Sequence, residues 1–257
     1  MKVAARLAGT ALVAVIVMAA VGADEPKKDA PKGPPELKLT VAKEAPPKVD
    51  GVLDDEIWKN AAVFTDFKLP DGTAPKGKAK LLVAQDDKAL YIAAECFENE
   101  KGLKNLVANA KDHDEDGIWN DDDVELFLDP TGKRNDYYQI IVNSKGVTWD
   151  GYCADPGRAD TDWNPKYQCA AKVGKESWVV ELAIPWAAFN QTRKFSDTWA
   201  FNCLHMRQGG GEEEMQFAPV EGSAHQPDKF GKLVGVIGKA GGATSGPATA
   251  SAPAKGK

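Results

Sequence analysis

Apolar residues in the middle of the chain recur in short runs, many of them alternating with polar residues, and turn residues separate the runs. Such short runs with a period of two are typical of β-strands. The connections carry Asp-Asp-Lys, Asp-Pro-Thr-Gly and Ser-Lys-Gly, which favour hairpin turns. The predicted strands cover residues 37–41, 79–85, 89–97, 123–129, 137–143, 147–152, 167–173, 177–184, 199–206, 215–218 and 232–237.

Helix is scarce in this pattern. The stretch LDDEIWKNAA (53–62) predicts one short helix, with Trp58 facing inward. The apolar surroundings of Trp178, Trp186 and Trp199 also place these side chains in the core. Short strands without intervening helices predict an all-β fold, namely a two-sheet antiparallel β-sandwich of the jelly-roll kind.

The pattern also predicts where the folded domain begins and ends. Residues 1–23 have a basic start, an apolar run and a small-residue cleavage site near Ala23, so they are predicted to be a cleaved signal peptide; an uncleaved N-terminal anchor is the alternative. Residues 24–36 predict a Pro/Lys-rich linker, residues 37–237 the sandwich, and residues 238–257 a disordered low-complexity tail. We therefore expect a secreted or periplasmic protein, with no later membrane span.

The net charge of the chain restricts the class of partner that it is expected to bind. Removing residues 1–23 leaves 30 basic and 38 acidic residues, without a basic patch of the kind that nucleic acid requires. The expected partner is therefore neutral or cationic.

Four cysteines in an exported chain permit disulfides, but none has the spacing of a zinc site. Cys153 with Cys169, across a local loop, is the favoured pair. Cys96 and Cys203 are expected to form a second bridge or to be buried thiols.

The segment DHDEDGIWNDDDVELFLD (112–129) carries the candidate chemistry. Its first half resembles a calcium loop, with a glycine at the turn and acids at alternate positions. The short Asp at the twelfth position and the strand that follows depart from that pattern, so a solvated acidic loop is the alternative. The predicted calcium ligands are Asp112, Asp114, Asp116 and Asp123.

The second half of this segment predicts a strand whose side chains alternate between two faces. Val124, Leu126 and Leu128 share one face, and Glu125 lies on the other. With Trp119 in the preceding loop, Glu125 could serve a sugar, because an indole stacks on pyranose C–H groups and a carboxylate binds hydroxyls.

Seven motifs in order support this interpretation. They are KVDGVLDDEIWKNA (48–61), DDKALYIAAECFE (86–98), IWNDDDVELFLDP (118–130), YYQIIVNSKG (137–146), WVVELAIPWAAF (178–189), WAFN (199–202) and HQPDKFGKL (225–233). Together they resemble carbohydrate-binding module family 9. The resemblance implies a non-catalytic β-sandwich that holds soluble sugars or polysaccharide chain ends between aromatic side chains, often with structural calcium and without an organic cofactor, usually beside enzymes that degrade plant polysaccharide.

The resemblance also implies roles for single residues. Trp119 would be one wall of the slot, Asp122 the acid that fixes its loop, and Glu125 and Asn143 the residues that bind sugar hydroxyls. His225 stands where the well-studied members have a second tryptophan, and Ile141 stands where they have an arginine. Both departures predict weaker stacking or a different ligand.

Other residues and functions stand beside these as alternatives. Arg207 is expected to bind sugar hydroxyls or to pair with an acid, and Trp149 and Trp163 to stack on ligand or to pack a long loop at 153–166. A glycoside hydrolase is one alternative function, but Glu125 and its neighbouring aspartates are too close in sequence to flank a sugar. A haem-binding electron-transfer sandwich is another. His205 and Met206 would point to opposite faces of one strand, and no haem-attachment motif is present.

Overall fold

The computed structural model describes residues 33–189 and 193–238. The predicted signal peptide, most of the predicted linker and nearly all of the predicted tail lie outside the described residues. Within the described ranges, no helix is long and apolar enough to cross a membrane.

The described chain is built mainly from strands. In chain order they are β1 (Glu36–Lys38), β2 (Ala62–Phe64), β3 (Lys78–Gln85), β4 (Ala89–Phe97), β5 (Asp123–Asp129), β6 (Tyr137–Asn143), β7 (Thr148–Asp155), β8 (Arg158–Asp160), β9 (Gln168–Val173), β10 (Ser177–Pro185), β11 (Thr198–Arg207), β12 (Glu213–Gln216) and β13 (Gly231–Val234). Two short helices, α1 (Glu56–Lys59) and α2 (Glu100–Lys104), complete the regular structure together with single 3-10 turns.

The strands form two sheets, which confirms the predicted β-sandwich. The larger sheet has the order β1-β13-β11-β5-β6-β7-β8, with β12 also paired to β11, and the smaller sheet has the order β2-β3-β4-β10-β9. The pairings between the named strands are antiparallel except β1 with β13, which is parallel and places Leu37 opposite Leu233.

The main core lies between the sheets. The predicted alternation in β5 is confirmed, since Val124, Leu126 and Leu128 enter this core. The four tryptophans predicted to be interior are buried, at Trp58, Trp178, Trp186 and Trp199. Burial of such large apolar side chains is the main source of stability in a two-layer fold.

Smaller apolar clusters cover the outer faces of both sheets. On the smaller sheet, Ile57 and Trp58 of α1 pack against Leu82 and Tyr91. On the larger sheet, one cluster forms around Phe127 and Phe230, and another around Ile118, Ile141 and Trp149. The larger sheet is therefore partly covered on its outer side, and the uncovered part becomes a cleft.

Some elements depart from the sequence prediction. The predicted helix at 53–62 is only the single turn of α1, and α2 and β2 lack a recognisable pattern because each is short. The predicted long loop at 153–166 contains β8, whose three residues are all exposed and polar or small, so no alternation marks them.

All four cysteines are free, so the favoured Cys153–Cys169 disulfide is wrong. Cys153 points to the outer side of the larger sheet, into the cluster around Phe127. Cys169 belongs to the smaller sheet and packs against the main core. Since the two side chains lie in different layers of the sandwich, their proximity in the sequence does not bring them together. Cys96 and Cys203 are the buried thiols that the sequence allowed.

Candidate functional site

A cleft of about 430 Å³ opens on the outer face of the larger sheet. Its floor comes from residues of β5, β6, β7, β11 and β12 that point away from the main core, because alternate residues of a strand face opposite sides. Its rim comes from the turn that carries Trp119, the β7–β8 hairpin and the loop before β13. The lining residues are Trp119, Glu125, Gln139, Ile141, Trp149, Gly157, Ala159, Leu204, Met206, Glu214, Gly222, Ala224 and His225.

Trp119 stands on the rim with 44% of its surface exposed. It lies in a 3-10 turn, Ile118–Asn120, which follows Gly117 in the left-handed region with a φ of 90°. Its neighbour Ile118 is fully buried and anchors the turn. The anchored turn therefore presents the indole at the rim of the cleft.

Asp121 and Asp122 hold this turn against the rest of the sandwich. Asp121 accepts hydrogen bonds from the backbone N–H of Asn109 and Ala110, at 2.7 and 3.2 Å. Asp122 accepts them from Val107 N–H at 2.7 Å and from Gln208 N–H at 2.8 Å. Both carboxylates are buried, and each holds backbone N–H groups of a neighbouring segment.

Glu125 lies in the floor of the cleft with only 6% of its surface exposed. Burial raises its pKa to about 7, and the nearby Glu214 carboxylate adds to this rise, while a hydrogen bond from Gln139 opposes it. That bond runs from Gln139 Nε2 to Glu125 Oε2 over 2.9 Å. The carboxyl is thus oriented by a side chain of the neighbouring strand β6.

Trp149 is the second indole that lines the cleft, although its sequence context favoured loop packing over stacking. It is mostly buried and packs on Ile118 and Ile141. Gly151, two residues along β7, lies beneath it. A Cβ there would be 3.0 Å from Trp149 Cη2 and 2.9 Å from Ala159 Cβ. A glycine at this position therefore allows the indole to lie along the strand.

His225 lines one side of the cleft. Its Nδ1 is 2.5 Å from the Tyr137 hydroxyl, and its ring meets Phe127 edge to face at 5.5 Å between centroids. Burial lowers the pKa of His225, which favours the neutral imidazole. The ring is therefore a fixed, uncharged wall.

The structure places two predicted ligand residues away from the cleft. Asn143 is fully buried; its amide donates to Asp121 Oδ2 at 3.0 Å and accepts from Val147 N–H at 3.0 Å. Arg207 pairs with Glu98 and, at 2.9 Å, with Glu213. Each side chain uses its polar atoms within the protein, and neither lines the cleft.

Gln139 and Glu214 line the cleft but were not singled out from the sequence. A signal existed for Gln139, because it is the one amide inside the apolar part of YYQIIVN and alternation puts it on the outer face. Glu214 lies in the run GGGEEE, which the sequence presents as a solvated turn. Only the pairing of β12 with β11, which sets Glu214 opposite Met206, brings it to the cleft.

The four predicted calcium ligands do not come together. Asp123 lies in the β5 ladder, fully buried, with both carboxylate oxygens lacking a hydrogen-bond donor. Asp112 and Asp116 are exposed on the preceding loop. Among the described residues, the group with metal-ligand geometry contains Asp114 with His113 and Asp150. The arrangement therefore does not fit the loop-type calcium site, because β5 carries Asp123 away from that loop.

The residues considered for haem are also separated. His205 is buried beside Trp178, with ring centroids 5.5 Å apart, and faces the main core. Met206 faces the cleft on the other side of the sheet. His205 and Met206 therefore point to opposite faces of the sheet, as expected for adjacent strand residues, and cannot both ligate one iron.

The sequence model of the family "Carbohydrate family 9 binding domain-like" matches residues 49–236, which is more than half of the chain. The chain belongs to this family. The match spans β2 to β13, so it includes all the strands that form the cleft. The family is one of non-catalytic binding modules.

The curated relatives that match this chain are much larger proteins, and the match covers only a small part of each. The chain is 33% identical over 140 residues to endo-1,4-beta-xylanase C of Paenibacillus barcinonensis, covering 54% of this chain and 11% of the xylanase. It is 26% identical over 210 residues to endo-1,4-beta-xylanase A of Thermotoga maritima, covering 77% of this chain and 18% of the xylanase. The chain thus spans less than a fifth of the length of either relative.

Solved structures share the fold. A family 9 carbohydrate-binding module from Caldicellulosiruptor kristjanssonii in complex with cellotriose superposes with a TM-score of 0.55 at 19% identity, covering 78% of this chain and 93% of that one. The same organism's module in complex with glucose gives a TM-score of 0.55 at 18% identity, covering 78% and 95%. At this level of identity the likeness establishes the architecture.

Proposed function

We propose that this protein is a non-catalytic module that binds a sugar or a glycan chain end in the cleft around Trp119 and Glu125. The observation that carries the proposal is that one cleft joins an exposed indole on its rim to a buried, oriented carboxyl group in its floor. A flat apolar face beside convergent polar groups suits a pyranose, which has apolar C–H faces and hydroxyls at its edges.

The mechanism follows from the rigidity of each part. A sugar ring stacks on Trp119, while the floor offers the apolar edge of Trp149. The Glu125 carboxyl accepts hydrogen bonds from sugar hydroxyls, and the Gln139 amide that fixes it keeps one further hydrogen to donate. Because these groups are already placed, binding loses little conformational entropy.

The charges around the cleft disfavour an anionic ligand. His225 is held as a neutral wall, and the acids of the floor repel anions. The family membership and the cellotriose and glucose complexes of its structural neighbours support a sugar as the occupant. A role beside polysaccharide-degrading enzymes, or in sugar uptake, is consistent with the xylanase relatives.

Hydrolysis has one observation in its favour, which is that both Glu125 and Glu214 line the cleft. Burial raises the pKa of each of them. A glycosidase needs one carboxyl protonated and a second one ionised at the operating pH. Because burial raises the pKa of both Glu125 and Glu214, the two carboxyls do not differ in the way that catalysis requires. The arrangement fits binding better.

Isothermal titration with glucose, cellotriose and xylotriose tests the proposal. We expect saturable binding of at least one of these sugars, lost by at least tenfold in Trp119→Ala and partly retained in Trp119→Phe. The melting temperature of Trp119→Ala should stay near that of the wild type, because the side chain is largely exposed. Val173→Ala, a similarly exposed apolar residue on the other sheet, is the matched control.

The results separate the functions. Binding that is unchanged in Trp119→Ala, or a wild-type protein that binds none of the three sugars, contradicts the proposal. Release of reducing ends that Glu125→Gln abolishes would establish hydrolysis instead.

We also propose that the protein acts after export, based on the signal-like composition of residues 1–23. Mass spectrometry of the protein from its natural host should give an N-terminus at Asp24. An intact Met1 in the mature protein would contradict export by cleavage.

A further inference from the structure

A compact group of metal-ligating side chains lies beside the cleft but does not line it. His113, Asp114 and Asp150 each bring one ligand atom, and these atoms lie within 4.8 Å of one another. His113 Nε2 is 3.3 Å from Asp114 Oδ2 and 3.7 Å from Asp150 Oδ2. Two ligands that share a tetrahedral ion at about 2.0–2.1 Å are separated by about 3.4 Å. Separations of 3.3 and 3.7 Å therefore allow these side chains to share an ion.

Asp150 gives an independent reason to expect a cation or a water at this place. Its side chain is 1% exposed, and its Oδ1 accepts no hydrogen bond within the described chain. The other oxygen, Oδ2, is the one 3.7 Å from His113 Nε2, and it accepts a hydrogen bond from the Tyr167 hydroxyl at 3.0 Å, so an ion held by both oxygens would also satisfy Oδ1. A buried carboxylate oxygen without a donor is costly unless a cation or a water satisfies it.

The surroundings orient His113 as metal-binding histidines are usually oriented. Its Nδ1 is 3.0 Å from the Thr148 carbonyl oxygen, so an N–H at Nδ1 donates there and fixes the ring with Nε2 toward the two carboxylates. The side chain is 46% exposed, which gives an ion a route from solvent. Without an ion, Nε2–H donates to Asn164 Oδ1 at 2.8 Å, and an ion bound at Nε2 would take the place of that proton.

We propose that His113, Asp114 and Asp150 form a binding site for a divalent first-row transition-metal ion of the zinc type. One imidazole nitrogen with two carboxylates suits Zn²⁺, whereas Ca²⁺ takes oxygen ligands only. This proposal differs from the loop-type calcium site in its ion, in its use of His113 and in its use of Asp150 from β7. It also stands apart from sugar binding, since none of its three ligands lines the cleft.

An ion here would join two parts of the structure that flank the cleft. His113 and Asp114 belong to the loop that leads to the Trp119 turn, and Asp150 is next to Trp149 in β7. The protein already links them, because Asp150 N–H donates to Asp114 Oδ1 at 3.1 Å and Asp114 N–H to the Thr148 carbonyl at 3.1 Å. A shared ion would strengthen that connection and stiffen the rim that presents Trp119.

Titration of the full chain with Zn²⁺ alone, after treatment with EDTA, tests the site. We expect one equivalent to bind and the melting temperature to rise. His113→Gln and Asp150→Asn should each weaken the affinity at least tenfold, and the amide oxygen introduced by Asp150→Asn can still accept the hydrogen bond from Tyr167. Asp112→Asn and Asp116→Asn remove the same charge from the same loop and should stay within about threefold of the wild type.

A second measurement identifies the ligand directly, even if a variant folds poorly. The chain has three histidines, so ¹⁵N spectra of the imidazoles resolve each ring. Added Zn²⁺ should shift Nε2 of His113 and leave His205 and His225 unchanged. An unshifted His113, equal weakening by Asp112→Asn and Asp150→Asn, or Ca²⁺ binding as tightly as Zn²⁺ would each overturn the proposal.

Discussion

The Gln139 side chain on β6 donates a hydrogen bond to the Glu125 carboxyl on β5, 2.9 Å away, in the floor of the cleft. The two residues are fourteen apart in the sequence, and the pairing of Glu125 with Ile141 brings them together diagonally. This contact orients a carboxyl group whose pKa is raised, mainly by burial, to about 7.

The first prediction concerns the pH dependence of stability. The folded pKa of Glu125 is about 7, above its ordinary value of 4.5. The folded state therefore holds the proton more tightly, so this contribution to stability is complete below about pH 4.5 and is lost as the pH rises through about 7. Glu125→Gln removes this pH dependence. As the pH rises from about 4.5 to above 7, the free energy of unfolding of the variant should therefore increase relative to that of the wild type by on the order of 3 kcal/mol.

Urea unfolding at pH 4.5 and pH 8 measures this difference. Glu212→Gln, which changes an exposed acid, is the control and should follow the wild type. Parallel pH profiles for Glu125→Gln and the wild type would show that Glu125 is not shifted.

The second prediction concerns the floor of the cleft. In Gly151→Ala the new methyl group meets Trp149 Cη2 and Ala159 Cβ, at 3.0 and 2.9 Å. The indole should move into the cleft. The substitution should therefore lower the sugar affinity and reduce the free energy of unfolding by about 1–3 kcal/mol. Adding Ala159→Gly should restore part of both, as measured by titration and thermal melting. An unchanged affinity in Gly151→Ala would mean that Trp149 does not shape the binding surface.

The third prediction concerns the acid that fixes the Trp119 turn. Asp122→Asn turns one acceptor oxygen into a donor that faces the backbone N–H groups of Val107, Gln208 or Gly209. We expect a loss of about 1–3 kcal/mol in the free energy of unfolding. Sugar affinity should fall as well, because the turn is less well held. Asp112→Asn is the control in chemical denaturation, and an equal effect there would contradict a specific role of Asp122.

The fourth prediction separates the two roles that the sequence allowed for Arg207. The structure shows the pairing role, with Glu98 fully buried beneath the guanidinium. Arg207→Met should cost about 3–5 kcal/mol, because it leaves Glu98 without a partner. Sugar affinity of the folded variant should be unchanged, and Arg207→Met/Glu98→Gln should recover stability. A stable single variant that no longer binds sugar would instead make Arg207 a ligand.

The fifth prediction concerns the cysteines. The denatured protein should react with a thiol reagent at four positions without prior reduction, because all four cysteines are free. In the native protein the three buried cysteines, Cys96, Cys153 and Cys203, should react slowly, and Cys169, which is half-buried, should react first. Fewer than four thiols in the denatured protein would indicate a disulfide.

The strand pattern predicted the sandwich well because alternation is a property of the backbone. In β5, the same alternation that sends Leu126 inward sends Glu125 outward, so one half of the site followed from a single segment. Trp119 followed because it directly precedes this strand in an otherwise polar loop. Both features depend only on residues that are close in the sequence, so the sequence alone predicts them.

The rest of the site depends on pairing between distant segments. Asn143 ends an outer-face run beside the cleft, but Asp121 and the 107–110 segment take up its amide. Glu214 reaches the cleft only through β12, whose pairing with β11 has no signal in its sequence. For the same reason Asp123 could be assigned to a calcium loop by spacing, although its strand register places it elsewhere.

The parallel pairing of β1 with β13 has a mechanical consequence. Glu36 lies opposite Lys232 and Lys38 opposite Val234, so the chain enters the sandwich at one end of this strand pair and leaves it at the other. A pull applied between the two sides of the described domain would load these strands along their length. The bonds from Leu39 N–H to Val234 O, 2.8 Å, and from Lys232 N–H to Pro35 O, 3.0 Å, would then resist together in shear instead of opening one after another. The edge of the larger sheet is thus arranged as a clamp against tension along the chain.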